Sequence, residues 1–411
     1  MHVMFLHQNF PAQFGPVAAR LAARPGTKVT FVSQTGDGEI PGVERVRYAT
    51  AGGATARSHY YSRTFENVTW HSYGAYTALK ARPDVRPDEN VAHSGFVSAQ
   101  PLRDLYPDVP VVNHFEYFYH AHNSDLDFRP DTPATGDDRN RARFRNAAIL
   151  LDLDGCAAGY CPTVWQHDRF PAAYRDKLRV IFDGVDTNVW HPRGFRPRKA
   201  GRFVFPDGVK LVTYAARGFE AMRGFDVFMK FAKALYTRRP DVRFAVIGRD
   251  KVCYGGDLNR TGGRSYKEWV LAQDEYDMSK FAFLGPVPPE TLAAMFSITD
   301  LHVYLTVPFV LSWSLFDALA CGTTVLASDT APVRELIEHE KNGLLGSFFD
   351  PEGLADQACR VLDDPSAYAP LGRAGVERVR EKYSLDVCLP QLTALYESVL
   401  SPAPRSVEAS T

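Results

Sequence analysis

The sequence predicts an α/β protein of two similar units, each a parallel sheet with helices on both faces. Three observations predict it. The chain opens as strand, loop, helix, strand, which is the pattern of a parallel α/β sheet. The same order begins again at residue 210. Between the halves lies PRGFRPRKAGRFVFPDG, rich in Pro, Gly and Arg and without periodicity, which reads as a linker.

In the first half the expected strands are residues 3–6, 28–33, 89–92, 109–113 and 178–182. The loop HQNFPAQFG follows the first strand, and a helix is expected over residues 16–24. In the second half the strands are 210–215, 244–248, 281–284, 301–305 and 324–327. The loop ARGFEAMRGF leads into a helix over 225–236. A long helix over 385–400 precedes the polar segment SPAPRSVEAST, residues 401–411, which reads as a flexible tail. The domains expected are 1–195 and 205–384. Ligands of such open sheets bind at the carboxyl ends of the strands, so a cleft between two facing sheets is the expected site.

Composition narrows the function classes. At roughly 150 residues per domain, 411 residues suggest two or three domains, with two favoured. Lys and Arg number 47 against 48 Asp and Glu, a net charge of −1, so no global basic field supports general nucleic-acid binding. Six cysteines occur with no Cys-x-x-Cys pair, which argues against a zinc ribbon and suits a reducing cytoplasm. The start MHVMFLHQNF lacks the charged and long apolar regions of a signal peptide. No run approaches the ~18 apolar residues of a membrane span, which leaves peripheral membrane contact open.

The most informative segment is VYLTVPFVLSWSLFDALACGTTVLAS, residues 303–328. It reads as strand, loop, a helix over 315–320, a Cys321-Gly322 stop and another strand. The helix N-terminus near Ser312 and Ser314 favours an anion, above all a phosphate. Asp317, read on the first turn, can accept hydrogen bonds from a ribose diol. The alternative is that the serines only cap the helix and Asp317 only complements its dipole.

This run resembles the signature of retaining GT-B glycosyltransferases of family 4. In that family a glutamate, a spacer and a second glutamate precede Ala-Met-Ala-x-Gly and a Val-Val strand. Asp317 stands at the second acid, before ALACGTTVLAS, and Phe309 stands at the first, where the family uses its acid on the donor sugar. The resemblance implies that the backbone amides of Val310, Leu311 and Ser312 touch sugar and phosphate. TYAARGFEAMRGFD, residues 213–226, is similar to the family's Gly-Arg-Leu…Lys-Gly loop. Arg217 matches the Arg, and Arg223 replaces the Lys. Two cations there neutralise a diphosphate leaving group as its charge develops, unless both are only surface arginines. DGVDTNVW, residues 183–190, resembles the family's Asn-Gly-Val-Asp turn and implies a structural role. FAFLGPVP, residues 281–288, is similar to a turn that lies along the nucleotide base, so the backbone of Val287 would read the base edge. Arg249 and Lys251 are further candidates to line the nucleotide pocket.

In the first half the resemblance makes Gly15 the opening of a helix that allows close backbone approach to the donor phosphates. In NHFEYFYHAHNSDLDF, residues 113–128, Glu116 takes the position where the family places a His near the reacting sugar, and His114 lies two residues before it. A buried carboxylate there would orient a sugar hydroxyl or steady positive charge at the anomeric carbon. The alternative is a core-facing aromatic loop.

No metal is expected. His114, His120 and His122 with Asp125 and Asp127 do not match a zinc spacing. The two Asp-Leu-Asp triplets at 125–127 and 152–154 are too short to carry an assignment. The run RNRARFR, residues 139–145, reads as a solvated basic helix face that can also steer an anionic acceptor.

The resemblance thus implies two Rossmann-like domains facing across a cleft, with the last helix crossing back to the first. The implied activity is sugar transfer from a UDP- or GDP-linked donor to an unidentified acceptor hydroxyl, with retention and without a further cofactor. The alternatives are a GT-B epimerase or hydrolase, or a non-catalytic nucleotide-sugar-binding protein.

Overall fold

The structure, a computed structural model, describes residues 1–194 and 198–400. The expected tail over 401–411 and residues 195–197 of the linker lie outside the described residues. The chain divides into two units. The first holds residues 1–184 and the helix Leu385–Leu400, and the second holds residues 185–384.

Seven parallel strands form the first sheet. They are β1 (His2–Leu6), β2 (Lys28–Ser33), β3 (Val43–Arg47), β4 (Glu89–His93), β5 (Val111–His114), β6 (Ala158–Cys161) and β7 (Leu178–Val180). Their order is β3-β2-β1-β4-β5-β6-β7. Every residue of β1, β4 and β5 is buried, as a sheet covered on both faces requires. The sequence reading missed β3, whose VERVR is an edge with charged residues, and β6, which is only four residues long. The strand order reverses between β1 and β4, so the carboxyl ends of these strands open a crevice.

The helix Leu385–Leu400 seals this core. Its Tyr396 is fully buried, with its ring 6.4 Å from that of Phe5. Gly184, at φ +92°, lets the chain pass this helix, because a Cβ there would stand 2.9 Å from the Leu385 Cα.

The second unit begins earlier than the linker suggested. Residues 185–194 pack on it: the Trp190 ring lies 6.4 Å from Phe296, and Arg193 pairs with Glu290. Part of the expected linker is a short antiparallel hairpin, β8 (Lys199–Ala200) and β9 (Phe203–Val204). It is anchored where Arg198 reaches the Val209 carbonyl at 2.6 Å and the Asp300 carboxylate at 2.5 Å.

The second sheet is also parallel. Its strands are β10 (Lys210–Gly218), β11 (Val242–Arg249), β12 (Phe281–Gly285), β13 (Leu301–Tyr304), β14 (Val325–Ser328) and β15 (Leu344–Gly346), in the order β12-β11-β10-β13-β14-β15. The three-residue β15 was not foreseen. The helix Phe225–Arg238 buries Phe225, Phe228 and Phe231 against the sheet. Its N-terminus follows Gly224 at φ +62°, where a Cβ would meet Leu305 at 2.7 Å.

Candidate active site

In the second unit, β10 and β13 are neighbours, and their carboxyl ends carry most of the chosen residues. After β10 the chain makes a 3-10 turn, Ala221–Arg223. Three contacts hold this turn: the Ala221 N–H donates to the Asp257 carboxylate at 2.8 Å, the Tyr214 hydroxyl donates to the Arg223 carbonyl at 2.8 Å, and the Val307 N–H donates to the Met222 carbonyl at 3.0 Å.

Arg223 is therefore not a surface arginine. It is 6% exposed. Its Nη1 donates to the Thr306 hydroxyl at 3.0 Å and to the Tyr304 hydroxyl at 3.3 Å. The guanidinium carbon lies 5.5 Å from the Tyr254 ring centroid and 5.8 Å from that of Phe309. Those two rings are 5.5 Å apart. Phe309, where the family signature has an acid, thus helps enclose the buried cation with a π face. Arg217 is exposed and lies on β10 itself, with Nη1 3.4 Å from the Tyr254 hydroxyl.

The helix Trp313–Ala320 follows the loop after β13. Ser312 is its N-cap and accepts from the Ser314 N–H at 3.4 Å. The Ser312 N–H donates to the Tyr304 hydroxyl at 2.8 Å. Ser314 also ties the helix to β10 through the Ala215 carbonyl at 3.1 Å. Val310 is half-buried and Leu311 buried in the loop before the cap. Asp317 is not on the first turn, which holds no acid. It lies one turn further in and is 8% exposed, and desolvation pushes its carboxyl well above the ordinary range.

The turn after β10, the loop after β11 and the end of β13 bring together residues that the sequence reading missed. Glu220 is fully buried. Its Oε2 accepts the backbone N–H groups of Cys253 at 2.5 Å and Tyr254 at 2.8 Å. Burial pushes this carboxyl up to about 7 against the opposing pull of those N–H groups and of Arg223. Tyr254, Tyr304 and Thr306 were also missed. The available signal was position: Glu220 sits between the two chosen arginines, and Tyr254 follows Arg249 and Lys251. Arg249 and Lys251 are themselves exposed.

Val287 lies apart from this group. It lines a cavity of about 310 Å³ with Arg202, Phe203, Leu284 and Thr291, beside the edge strand β12, and none of Arg217, Arg223, Ser312 or Asp317 lines it.

In the first unit three imidazoles stand at the carboxyl ends of adjacent strands. His7 follows β1, His93 ends β4 and His114 ends β5. Ring centroids are 5.1 Å apart for His7 and His93, and 4.6 Å for His93 and His114. His114 is fully buried, with Nε2 3.0 Å from the Asp183 carboxylate. Asp183 of the DGVD turn therefore meets a candidate residue, beyond the structural role expected of that turn. Glu116 is not a buried carboxylate: its side chain is 29% exposed, with Oε2 3.8 Å from His93 Nε2. Desolvation holds His93 well below the ordinary imidazole range. Gly15 does open the helix Gly15–Ala22, but its close approach is to the Pro11 side chain, 3.0 Å from a Cβ.

The basic run is a helix, Gly136–Arg145, and not a purely solvated face. Arg145 stacks on Tyr119 at 3.6 Å and Arg141 on Tyr60 at 4.7 Å. An apolar groove of about 390 Å³ runs along the helix Arg63–Lys80 and holds none of the chosen residues. Among the described residues, no group of three or more His, Cys, Asp or Glu is placed to hold a metal ion. Among the same residues, no helix is long and apolar enough to cross a membrane.

Comparison with known proteins agrees with the fold of both units. Residues 25–190 match the model of the glycosyl transferase family 4 group, and residues 196–378 match that of glycosyl transferases group 1. The chain is 27% identical over 231 residues to the D-inositol 3-phosphate glycosyltransferase of Corynebacterium glutamicum, covering 55% of this chain and 53% of that protein. It thus spans about half the length of that relative. Sucrose-phosphate synthase from Thermosynechococcus elongatus shares the fold with a TM-score of 0.70 at 17% identity, over 97% of this chain and 99% of that one. Anabaena HepE in complex with UDP-glucose shares it with a TM-score of 0.66 at 15% identity, over 97% and 100%. Two Rossmann-like units, family matches across both halves and whole-chain likeness to these structures make this chain a GT-B glycosyltransferase of the family 4 group and of glycosyl transferases group 1.

Proposed function

We propose that the chain transfers a sugar, a hexose in the first instance, from a nucleotide-diphosphate donor to an acceptor hydroxyl with retention of anomeric configuration. The observation that carries this reading is the Arg223 guanidinium, buried beside the N-cap of the helix Trp313–Ala320. As the bond from the anomeric carbon to the diphosphate breaks, negative charge grows on the leaving oxygen. A preorganised cation in a site of low dielectric stabilises that charge more than it stabilises the intact donor. The N–H groups at the helix start add partial positive charge on the same side, and Arg217 supplies a second, exposed cation. The chemistry assigned to the protein thus rests on its own side chains, with a UDP- or GDP-linked sugar as donor and no metal.

The first unit would receive the acceptor, with Glu116 as its accessible acid and His114 behind it. The D-inositol 3-phosphate named for the corynebacterial relative makes a phosphorylated polyol the first acceptor to try. All six cysteines are free, which fits a cytoplasmic enzyme. The test is product analysis with UDP- and GDP-sugars and a polyol acceptor panel. A new glycoside of retained configuration supports the reading. Free sugar alone makes the protein a hydrolase, and an isomerised donor makes it an epimerase.

A further inference from the structure

The turn that carries Arg223 is joined to the loop after β11 by two carboxylates in opposite directions. Glu220, on the turn, accepts the N–H groups of Cys253 and Tyr254 from the loop. Asp257, on the loop, accepts the Ala221 N–H of the turn at 2.8 Å and pairs with Arg260 at 2.6 Å. Between β11 and the helix Tyr266–Leu271 the loop's regular structure is one 3-10 turn, Asp257–Asn259, and four of its residues are glycine. Yet this loop supplies Tyr254, whose ring faces the Arg223 guanidinium and the Phe309 ring, and whose hydroxyl meets Arg217.

We propose that Glu220 is a positioning residue of the donor site: its carboxylate pins the backbone at Cys253 and Tyr254 and thereby sets the Tyr254 ring over Arg223. This rests on the second-unit donor site proposed above. The pinned ring keeps water from the guanidinium, which preserves the strength of its interaction with a diphosphate.

The geometry carries a second consequence. Glu220 Oε1 is buried and has no hydrogen-bond partner among the described residues. The two N–H groups reward the ionised form, while burial opposes it. The ionisable groups coupled to Glu220 are Arg223 on its own turn, Asp257 and Cys253 on the loop, and Tyr214 on β10, while Tyr254 acts through its backbone N–H. With the carboxyl near 7, the latch is ionised and tight above neutrality and protonated and loose below it. Donor affinity then falls as the pH drops from 8 to 6. A nucleotide-diphosphate sugar is the suitable probe, because its diphosphate is a diester with no proton to gain in that range.

The test compares the wild type with Glu220→Gln, which keeps the shape and removes the charge, and with Tyr254→Ala. Hydrogen exchange of the Cys253 and Tyr254 amides in the ligand-free protein, corrected for intrinsic rates, reads the latch without any donor. Exchange in Glu220→Gln should rise by at least about tenfold, the scale of one charge-assisted hydrogen bond. Calorimetric titration with UDP-glucose and GDP-glucose at pH 6, 7 and 8 reads the consequence. The expected result is roughly tenfold weaker donor binding in Glu220→Gln at pH 8, and a pH dependence present in the wild type but absent from the variant. Tyr254→Ala should weaken binding similarly while its melting temperature stays near that of the wild type. Unchanged amide exchange in Glu220→Gln overturns the proposal, as does an unchanged pH profile of donor affinity. A wild type that binds neither donor, with the exchange result as expected, overturns the donor-site reading and leaves Glu220 as a loop latch only.

Discussion

Arg223 and Ser312 are joined through a single hydroxyl: Tyr304 Oη lies 3.3 Å from Arg223 Nη1 and accepts the Ser312 N–H at 2.8 Å. A buried cation and a helix N-cap, far apart in sequence, thus share one atom at the end of β13. Tyr304→Phe removes that atom and leaves both donors short of a partner. We expect kcat to fall about tenfold, with a smaller change in the donor KM, because the loss falls mainly on the developing charge. Steady-state kinetics on the best donor checks this.

Replacement of Arg223 itself separates charge from shape. Lysine keeps the charge but lacks the planar fork that meets Thr306 and Tyr304 together. Arg223→Lys should retain a few per cent of kcat, and Arg223→Ala should lose about 10²–10³-fold, the usual scale for a removed oxyanion donor. Equal activities for the two variants would show that a charge without the fork contributes nothing, and Arg223→Lys at the wild-type rate would show that only the charge matters.

Glu89 gives a stability prediction. It is fully buried on β4, and neither carboxylate oxygen has a hydrogen-bond partner among the described residues. Desolvation pushes its carboxyl up to about 8. The folded state then holds this proton more tightly than the unfolded chain does. The stability that follows is full below about 4.5 and is lost as the pH rises through about 8. Glu89→Gln should flatten that decline and be more stable than the wild type by roughly 2 kcal/mol at pH 8.5. Urea unfolding across the pH range reads it.

Asp183 beside His114 is a buried ionisable pair, and removing one partner of such a pair is costly. Asp183→Ala should destabilise the protein by about 3 kcal/mol, and Asp183→Asn, which keeps the volume, by less. Urea midpoints with an unchanged m value measure the difference.

At Gly218 the loop after β11 passes close against β10. A Cβ there would stand 2.1 Å from the Lys251 carbonyl oxygen. Gly218→Ala should cost roughly 1–3 kcal/mol as the loop is pushed away. It should also weaken donor binding through Tyr254, which a titration reads separately from the melting temperature.

The sequence revealed what is local. The buried strands read as apolar runs, and the helix Leu385–Leu400 was found with its bounds. Edges were harder: β3 carries charge, and β15 is too short for a period. Local placement was legible at Ser312, which caps its helix as read, whereas Arg217, read in the loop, lies on β10. The burial of Arg223 was not, because it depends on Tyr304 and Thr306 from another strand and on Tyr254 from another loop. The row of His7, His93 and His114 was hidden for the same reason, since only the order β1-β4-β5 makes them neighbours. Asp317 was misplaced by a turn because the helix begins at Trp313, two residues before the expected start.

Calorimetric titration of the wild type and Arg223→Ala with UDP and with GDP tests the diphosphate site most directly. The wild type should bind one of the two, and Arg223→Ala should bind it at least about thirtyfold more weakly while remaining folded. Equal affinity in the two proteins, or no binding of either nucleotide by the wild type, would contradict a diphosphate site built on Arg223.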